Sequence, residues 1–210
     1  MNGEYHIQLC RDALGEHFST EALTIIGKSN TGQDSLSGLF LHPEYHYEHL
    51  EASKRYIQEE RGLAIDAVKH GGKLEDAWRA FGRLLHATQD FYAHTNYVRL
   101  WAERFGDEDL PPIENFDGLN NELHTDQRLY PCKTYLVRDY LYFVPFLKHW
   151  IVANIPADSH ARMNLDNPEQ GPLFNYAMEG ARQASRRELQ TILDALTEAE
   201  QARFLHQHAA

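Results

Sequence analysis

Between Leu74 and Trp101 the chain carries apolar residues at helical spacing, and within that run three ionisable residues stand four apart: His86, Asp90 and His94. Each step of four advances about 40° around a helix, so the three form one stripe about 12 Å long. Their neighbours Leu84, Leu85, Ala87, Phe91, Tyr92 and Ala93 are apolar or aromatic. A stripe in that setting faces the interior, where ionisable groups need partners. The alternative, a solvated polar face or core histidines satisfied by hydrogen bonds, suits this apolar surround less well. The stripe is too long for one metal ion held by all three residues. It suits a central carboxylate bridging two cations roughly 3.5–4 Å apart, with an imidazole on either side.

The rest of the chain reads as helical too, and strand-like alternation is scarce. A first helix is expected over about 5–17, and a second is capped by Ser19 or Thr20. A polar turn follows over 29–35. A third helix covers about 43–70, stopped by Gly71-Gly72, and the long fourth covers about 74–104. Residues 105–131 look loop-like, a fifth helix covers about 132–154 with a kink at Pro145, and the last covers about 171–206. No repeat or linker divides the 210 residues, so the expectation is one all-α domain over 1–210, a compact helical bundle.

Composition narrows the function. Lys and Arg number 20 against 31 Asp and Glu, a net charge of -11, which argues against a protein that coats nucleic acid. Two cysteines, Cys10 and Cys132, make no disulfide framework and no CxxC pair. The first residues lack the basic and apolar regions of a secretory signal. The nearest approach to a membrane span, 140–155, is broken by Pro145, Lys148 and His149 and reads as core. The expectation is a cytoplasmic chain, or one exported without a cleaved signal. Histidine is over-represented, with 13 residues, and a metal site is the first explanation.

Further ligands to that site must come from facing helices. The candidates are His6 on the first helix, Asp34 in the polar turn, His46 in the segment 41–49, and His160 before the last helix. His42 and His49 compete with His46, and spacing does not choose among them. His17, His70, His206 and His208 read as surface residues. A di-iron bundle is a poor fit, because no histidine has a glutamate three residues before it.

The run Trp78-Arg79-Ala80-Phe81-Gly82-Arg83-Leu84-Leu85-His86-Ala87-Thr88-Gln89-Asp90-Phe91-Tyr92-Ala93-His94-Thr95-Asn96-Tyr97 resembles the H-x-x-x-D motif of zinc-dependent phospholipases C and the related single-strand nucleases. It is closer still to the LHxxQDFYAHSNW signature of Het-C-like proteins. Looser matches follow in order: His6-Ile7 to Ala13-Leu14 resembles the family's opening, Ile26 to Asp34 its I-x-x-x-N-x-x-x-D turn, Pro43 to Glu48 its HFD segment, and His160 to Pro168 its tail. The resemblance implies a helical domain holding two or three zinc ions. By it, Asp34, His46, His86 and Asp90 hold one zinc, His6 with Asp90 a second, and His94 with His160 a third. The phospholipases place a carboxylate four residues after the histidine that matches His160. Here that position is Asn164, and the nearest acid is Asp166. The phospholipases and nucleases also use a processed terminal Trp as a ligand. This chain begins Met1-Asn2-Gly3, so the amine of Met1, a water or another side chain takes that place.

The implied activity is hydrolysis of a phosphoester, phospholipase C-like, by hydroxide held between zincs that share Asp90, with Asp34 orienting the water. A phospholipid at a membrane surface is the leading substrate, and no stable complex with nucleic acid is expected. Tyr45, Tyr47, Phe91, Tyr92, Tyr97 and Trp101 either receive a choline-like cation or a base, or pack as core. Two other readings remain at this stage: a single-strand nuclease of the same fold, and a non-enzymatic Het-C-like toxin or interaction domain.

Overall fold

The structure, a computed structural model, describes residues 1–35, 38, 41–106, 109–135 and 156–206. The described helices are α1 (Gly3–Leu14), α2 (Thr20–Thr31), α3 (Leu50–Lys69), α4 (Leu74–His94), α5 (Tyr97–Ala102), α6 (Asn121–His124), α7 (His160–Met163), α8 (Leu173–Asp194) and α9 (Glu198–Leu205). Short 3-10 turns add Gly32–Asp34, Glu103–Phe105, Ile113–Asn115 and Pro168–Gln170. Among the described residues there is no strand, only two isolated bridges, Thr95 with Pro131 and Lys133 with Ser159. The all-α bundle expected from the sequence is therefore the observed architecture.

Helix α4 is its axis. Sixteen of its 21 residues are buried, including His86, Asp90 and His94. Helices α2, α3 and α8 pack around it, and α1 fills the angle between α2 and α8. Helix α9 closes one end, where the Trp78 indole N–H donates to the Phe204 carbonyl at 2.8 Å. Bidentate pairs from Arg83 to Glu60 and from Arg61 to Glu188 tie α3 to α4 and α8.

Several boundaries are set by local chemistry the sequence announces. Ser19 caps α2, its Oγ accepting from the Ala22 N–H at 3.2 Å. Thr197 and Glu200 form a capping box that starts α9, so the expected last helix is two helices with a break at 195–197. Other boundaries are set by contacts from afar. Helix α4 ends at His94 rather than near 104, because its last carbonyls are taken by other segments. The Ala93 carbonyl accepts from the Leu165 N–H at 3.0 Å, and that of His94 accepts from the Cys132 N–H at 2.7 Å. The side chain of Asn96 then binds the Arg128 carbonyl and the Tyr130 N–H, so the chain turns out of the helix. That capture also corrects the start of the expected fifth helix: residues 132–135 are non-helical and lie against the end of α4. The remainder of that helix, with the apolar run 140–155, lies outside the described residues. Helix α3 starts at Leu50, and 43–49 is a turn-rich approach. No helix among the described residues is long and apolar enough to cross a membrane.

One close approach positions the site. A Cβ at Gly82 would collide with the Ile26 carbonyl oxygen and lie 3.1 Å from the Asn30 backbone nitrogen. Only glycine lets α2 lie this near α4, and that nearness delivers Asn30 to His86 and Gln89. Because the obstacle is backbone, Gly82→Ala is expected to lower the unfolding free energy by about 1–3 kcal/mol, read from urea denaturation.

Candidate metal centre

The stripe on α4 meets ligand-type side chains from four other segments. Asp90 lies at the centre, fully buried. Its Oδ1 is 3.2 Å from His6 Nε2 on α1. Its Oδ2 is 3.1 Å from His46 Nδ1 and 3.2 Å from His86 Nε2. Asp34, in the 3-10 turn after α2, stands with Oδ1 3.7 Å from His86 Nε2 and 3.9 Å from His46 Nδ1. At the other end, Asp166 Oδ1 is 2.8 Å from His94 Nε2, and its Oδ2 is 3.4 Å from His160 Nε2 on α7.

All eight residues singled out from the sequence thus converge. They form three groups with ligand atoms close enough for one ion each: His6, Asp34 and His86; His46, His86 and Asp90; His94, His160 and Asp166. The first grouping differs from the expected one, since Asp34 stands with His6 as well as with His86. Among the competing histidines, His46 joins the centre. His42 stacks on Tyr45 with ring centroids 4.5 Å apart, and His49 is exposed just before α3. Asp166 supplies the third carboxylate. Asn164 caps α7 instead, its side-chain N–H donating to the His160 carbonyl at 2.8 Å.

Three imidazoles are oriented by hydrogen bonds that run outward from the centre. Ser185 donates to the Ala181 carbonyl, so its oxygen is free to accept from Gln89 Nε2 at 3.1 Å. That fixes the Gln89 amide with Oε1 toward His6 Nδ1 (2.7 Å) and Asn30 Nδ2 (3.1 Å). Asn30 must then turn Oδ1 to His86 Nδ1, at 3.3 Å. His94 Nδ1 in turn faces the His46 carbonyl at 3.0 Å. Each of His6, His86 and His94 therefore carries a proton on Nδ1 and turns Nε2 toward the carboxylates. Asn30 and Gln89 stand inside the motifs that carry the family resemblance but were given no role there, and Ser185 carried no signal beyond being a polar residue in a helical run.

The electrostatics show what this arrangement lacks. Burial, reinforced by His6 and His46, outweighs Asp90 and pushes His86 down to about 3, so the ring is neutral. Burial, with His94, likewise lowers His160 to about 4. Burial works against an ionised Asp90, but His94, the Met1 ammonium, His86 and His6 hold its carboxyl well below the usual range. A neutral Nε2 lone pair and a carboxylate oxygen about 3 Å apart are two acceptors facing each other, which is stable only with a cation between or beside them. The Met1 ammonium is such a cation, 2.7 Å from Asp90 Oδ1 and 2.9 Å from Asp166 Oδ1. Burial would lower its pKa, yet Asp166 and Asp90 raise it to about 11. Opposite Asp90, the Nε2 of His6 is buried without a hydrogen-bond partner. The donor set of imidazole nitrogens and carboxylates suits Zn²⁺.

Asp34 and His160 are each about one-third exposed, while Asp90 is sealed. Of the aromatics considered as ligand contacts, Phe91, Tyr92, Tyr97 and Trp101 are buried core.

A family model described as VWA7 N-terminal domain matches residues 5–134, a span that includes His6, Asp34, His46, His86, Asp90 and His94 and stops short of His160 and Asp166. No curated protein and no solved structure matches the chain.

The orienting network makes its own prediction. Long-range nitrogen–proton NMR should find His6, His86 and His94 as Nδ1–H tautomers. Gln89→Leu strips the acceptor from two buried donors and should cost about 1–3 kcal/mol in denaturant unfolding. A mixed tautomer population at His6, or unchanged stability, would show that the network does not orient the rings.

Proposed function

This chain belongs to the VWA7 N-terminal domain family, and we propose that its domain is a zinc-dependent phosphoester hydrolase with phospholipase C-like action on phosphodiesters. One observation carries the reading: eight imidazole and carboxylate side chains from five segments converge on a space with surplus acceptors, and buried hydrogen bonds aim three of the imidazoles into it. Such convergence is costly in a bundle core unless cations occupy it.

His86 has one free nitrogen, Nε2, so it would serve a single ion, with Asp34, His46 and Asp90; His6 with Asp90 would hold a second, and His94, His160 and Asp166 a third. Because Asp90 lies against both His6 and His46, it would be shared between the first two. Zinc ions held there acidify a nearby water and neutralise the negative oxygens of a phosphate ester. Asp34, the more exposed carboxylate of the centre, would accept a hydrogen bond from the attacking water and orient it. The sealed floor around Asp90 keeps bulk water from competing for the ligands. The pairing of Asp166 with both His94 and His160 supports a complete third group over a degenerate one.

Elemental mass spectrometry of the purified chain should find two or three zincs. Asp90→Asn should lose bound metal and reduce cleavage of a generic phosphodiester by about 100-fold or more. Release of a phosphorylated headgroup from phosphatidylcholine vesicles, without cleavage of single-stranded DNA, would assign the lipid substrate, and the reverse would assign the nuclease. A metal-free protein, or full activity in Asp90→Asn, would remove the proposal.

A further inference from the structure

A second cavity, of about 320 Å³, lies beside α4 on the face turned away from the metal centre. Thr88, Phe91 and Tyr92 line it, and at 100° per residue they are rotated roughly 150° from the stripe of His86, Asp90 and His94. Helices α3, α6 and α8 supply its other walls, with Tyr47 at one side.

Two features of this cavity point to a ligand. The first is Thr88. Its hydroxyl is buried and has no hydrogen-bond partner. Elsewhere the helical threonines Thr24, Thr31 and Thr191 donate to the carbonyl four residues earlier, and Thr95 and Thr125 do the same at helix ends. Thr88 forgoes that bond, and the residue lines the cavity.

The second is charge. In a chain of net charge -11, the cavity gathers Lys54, Arg61 and Arg187 against a single acid, Glu188. Arg61 already holds Glu188 through two hydrogen bonds of 2.8 and 3.0 Å. Lys54 has only the exposed Glu51, at 2.9 Å. The Arg187 guanidinium has no hydrogen-bonded or ion-paired partner among the described residues, although its field reaches Tyr47, Tyr92 and His124. The apolar part of the wall is preformed: Phe91 carries Tyr47 edge-on at 5.0 Å and the His124 ring stacked at 4.9 Å.

We propose that this cavity is a second ligand site, separate from the metal centre, for a small organic anion. Its phosphate or carboxylate group is met by Arg187, Lys54 and the Thr88 hydroxyl, and its apolar or aromatic body packs on Tyr47 and Phe91. A guanidinium fork presents parallel donors that match such a head group. The volume is that of a small-molecule pocket lined by aromatic walls and a few placed polar groups.

The probe is phenylphosphonate, which a phosphoester hydrolase cannot cleave, with inorganic phosphate as the comparison. Titrated into the full chain, phenylphosphonate should bind saturably and about tenfold tighter than phosphate, shifting the NMR signals of Thr88 and His124. Arg187→Gln should weaken it about tenfold or more, and Thr88→Val should weaken it severalfold, both with metal content unchanged. Thr88→Val keeps the shape of the side chain and removes an unpaired hydroxyl, so its loss of affinity cannot be ascribed to misfolding. The proposal is overturned if phenylphosphonate fails to saturate, if phosphate binds equally well, or if both variants bind as the parent does. Binding lost in Asp90→Asn but retained in Arg187→Gln would place the anion at the metal centre and equally overturn it.

Discussion

The carboxylate of Asp90 is taken wholly out of water in α4, the described helix with the most buried residues. An ionised carboxylate there is tolerable only if positive charge and hydrogen-bond donors surround it closely. That demand reaches into every neighbouring element. Helix α1 must bring His6, the turn after α2 must bring Asp34, and the approach to α3 must bring His46. The chain after α4 must fold back so that α7 and Asp166 cover His94. Even α8, which supplies no ligand, is drawn in, because Ser185 anchors the Gln89 amide that orients His6. The bundle is thus packed around a polar centre, and its apolar layers serve partly to hold that centre dry.

How much of this was legible in the sequence depends on whether a signal was local. The i, i+4, i+8 spacing of His86, Asp90 and His94 in an apolar run is a local pattern, and it identified the buried stripe and its central carboxylate. The cap at Ser19 was legible for the same reason, since a side chain there bonds a backbone group three residues on. The end of α4 was not. Nothing near His94 stops a helix, and the amphipathic pattern runs on through Val98 and Trp101. What stops it is the capture of the Ala93 and His94 carbonyls by Leu165 and Cys132, distant in sequence. The same capture made the chain at 132–135 extended where a helix was expected.

The third ligand group shows a subtler limit. The family resemblance put the carboxylate four residues beyond His160, where this chain has Asn164, and left Asp166 as the nearest acid. Helix α7, however, ends at Met163, and Asn164 already has an extended backbone. Once the helix stops, the four-residue rule no longer says which side chain returns to the same face, and Asp166 reaches the site instead. Gln89 and Asn30 stood in the quoted motifs, but their role was illegible for a different reason. The importance of a neutral amide lies in the direction of a dipole that only the assembled network fixes.

The turn at His46 and Tyr47 joins the two sides of the molecule. Tyr47 has φ +60, a left-handed conformation that an aromatic residue adopts at a cost of about 1–2 kcal/mol. Three contacts hold it there. The His46 ring rests on Asp90, the His46 carbonyl accepts from His94, and the Tyr47 ring packs edge-on against Phe91. An ordinary extended or helical conformation at Tyr47 would redirect its ring or the preceding imidazole, and one of the two faces of α4 would lose its cover. The strain is therefore offset by contacts that a relaxed turn could not make together. The histidine that serves the metal centre and the tyrosine that walls the second cavity are fixed by the same backbone angle.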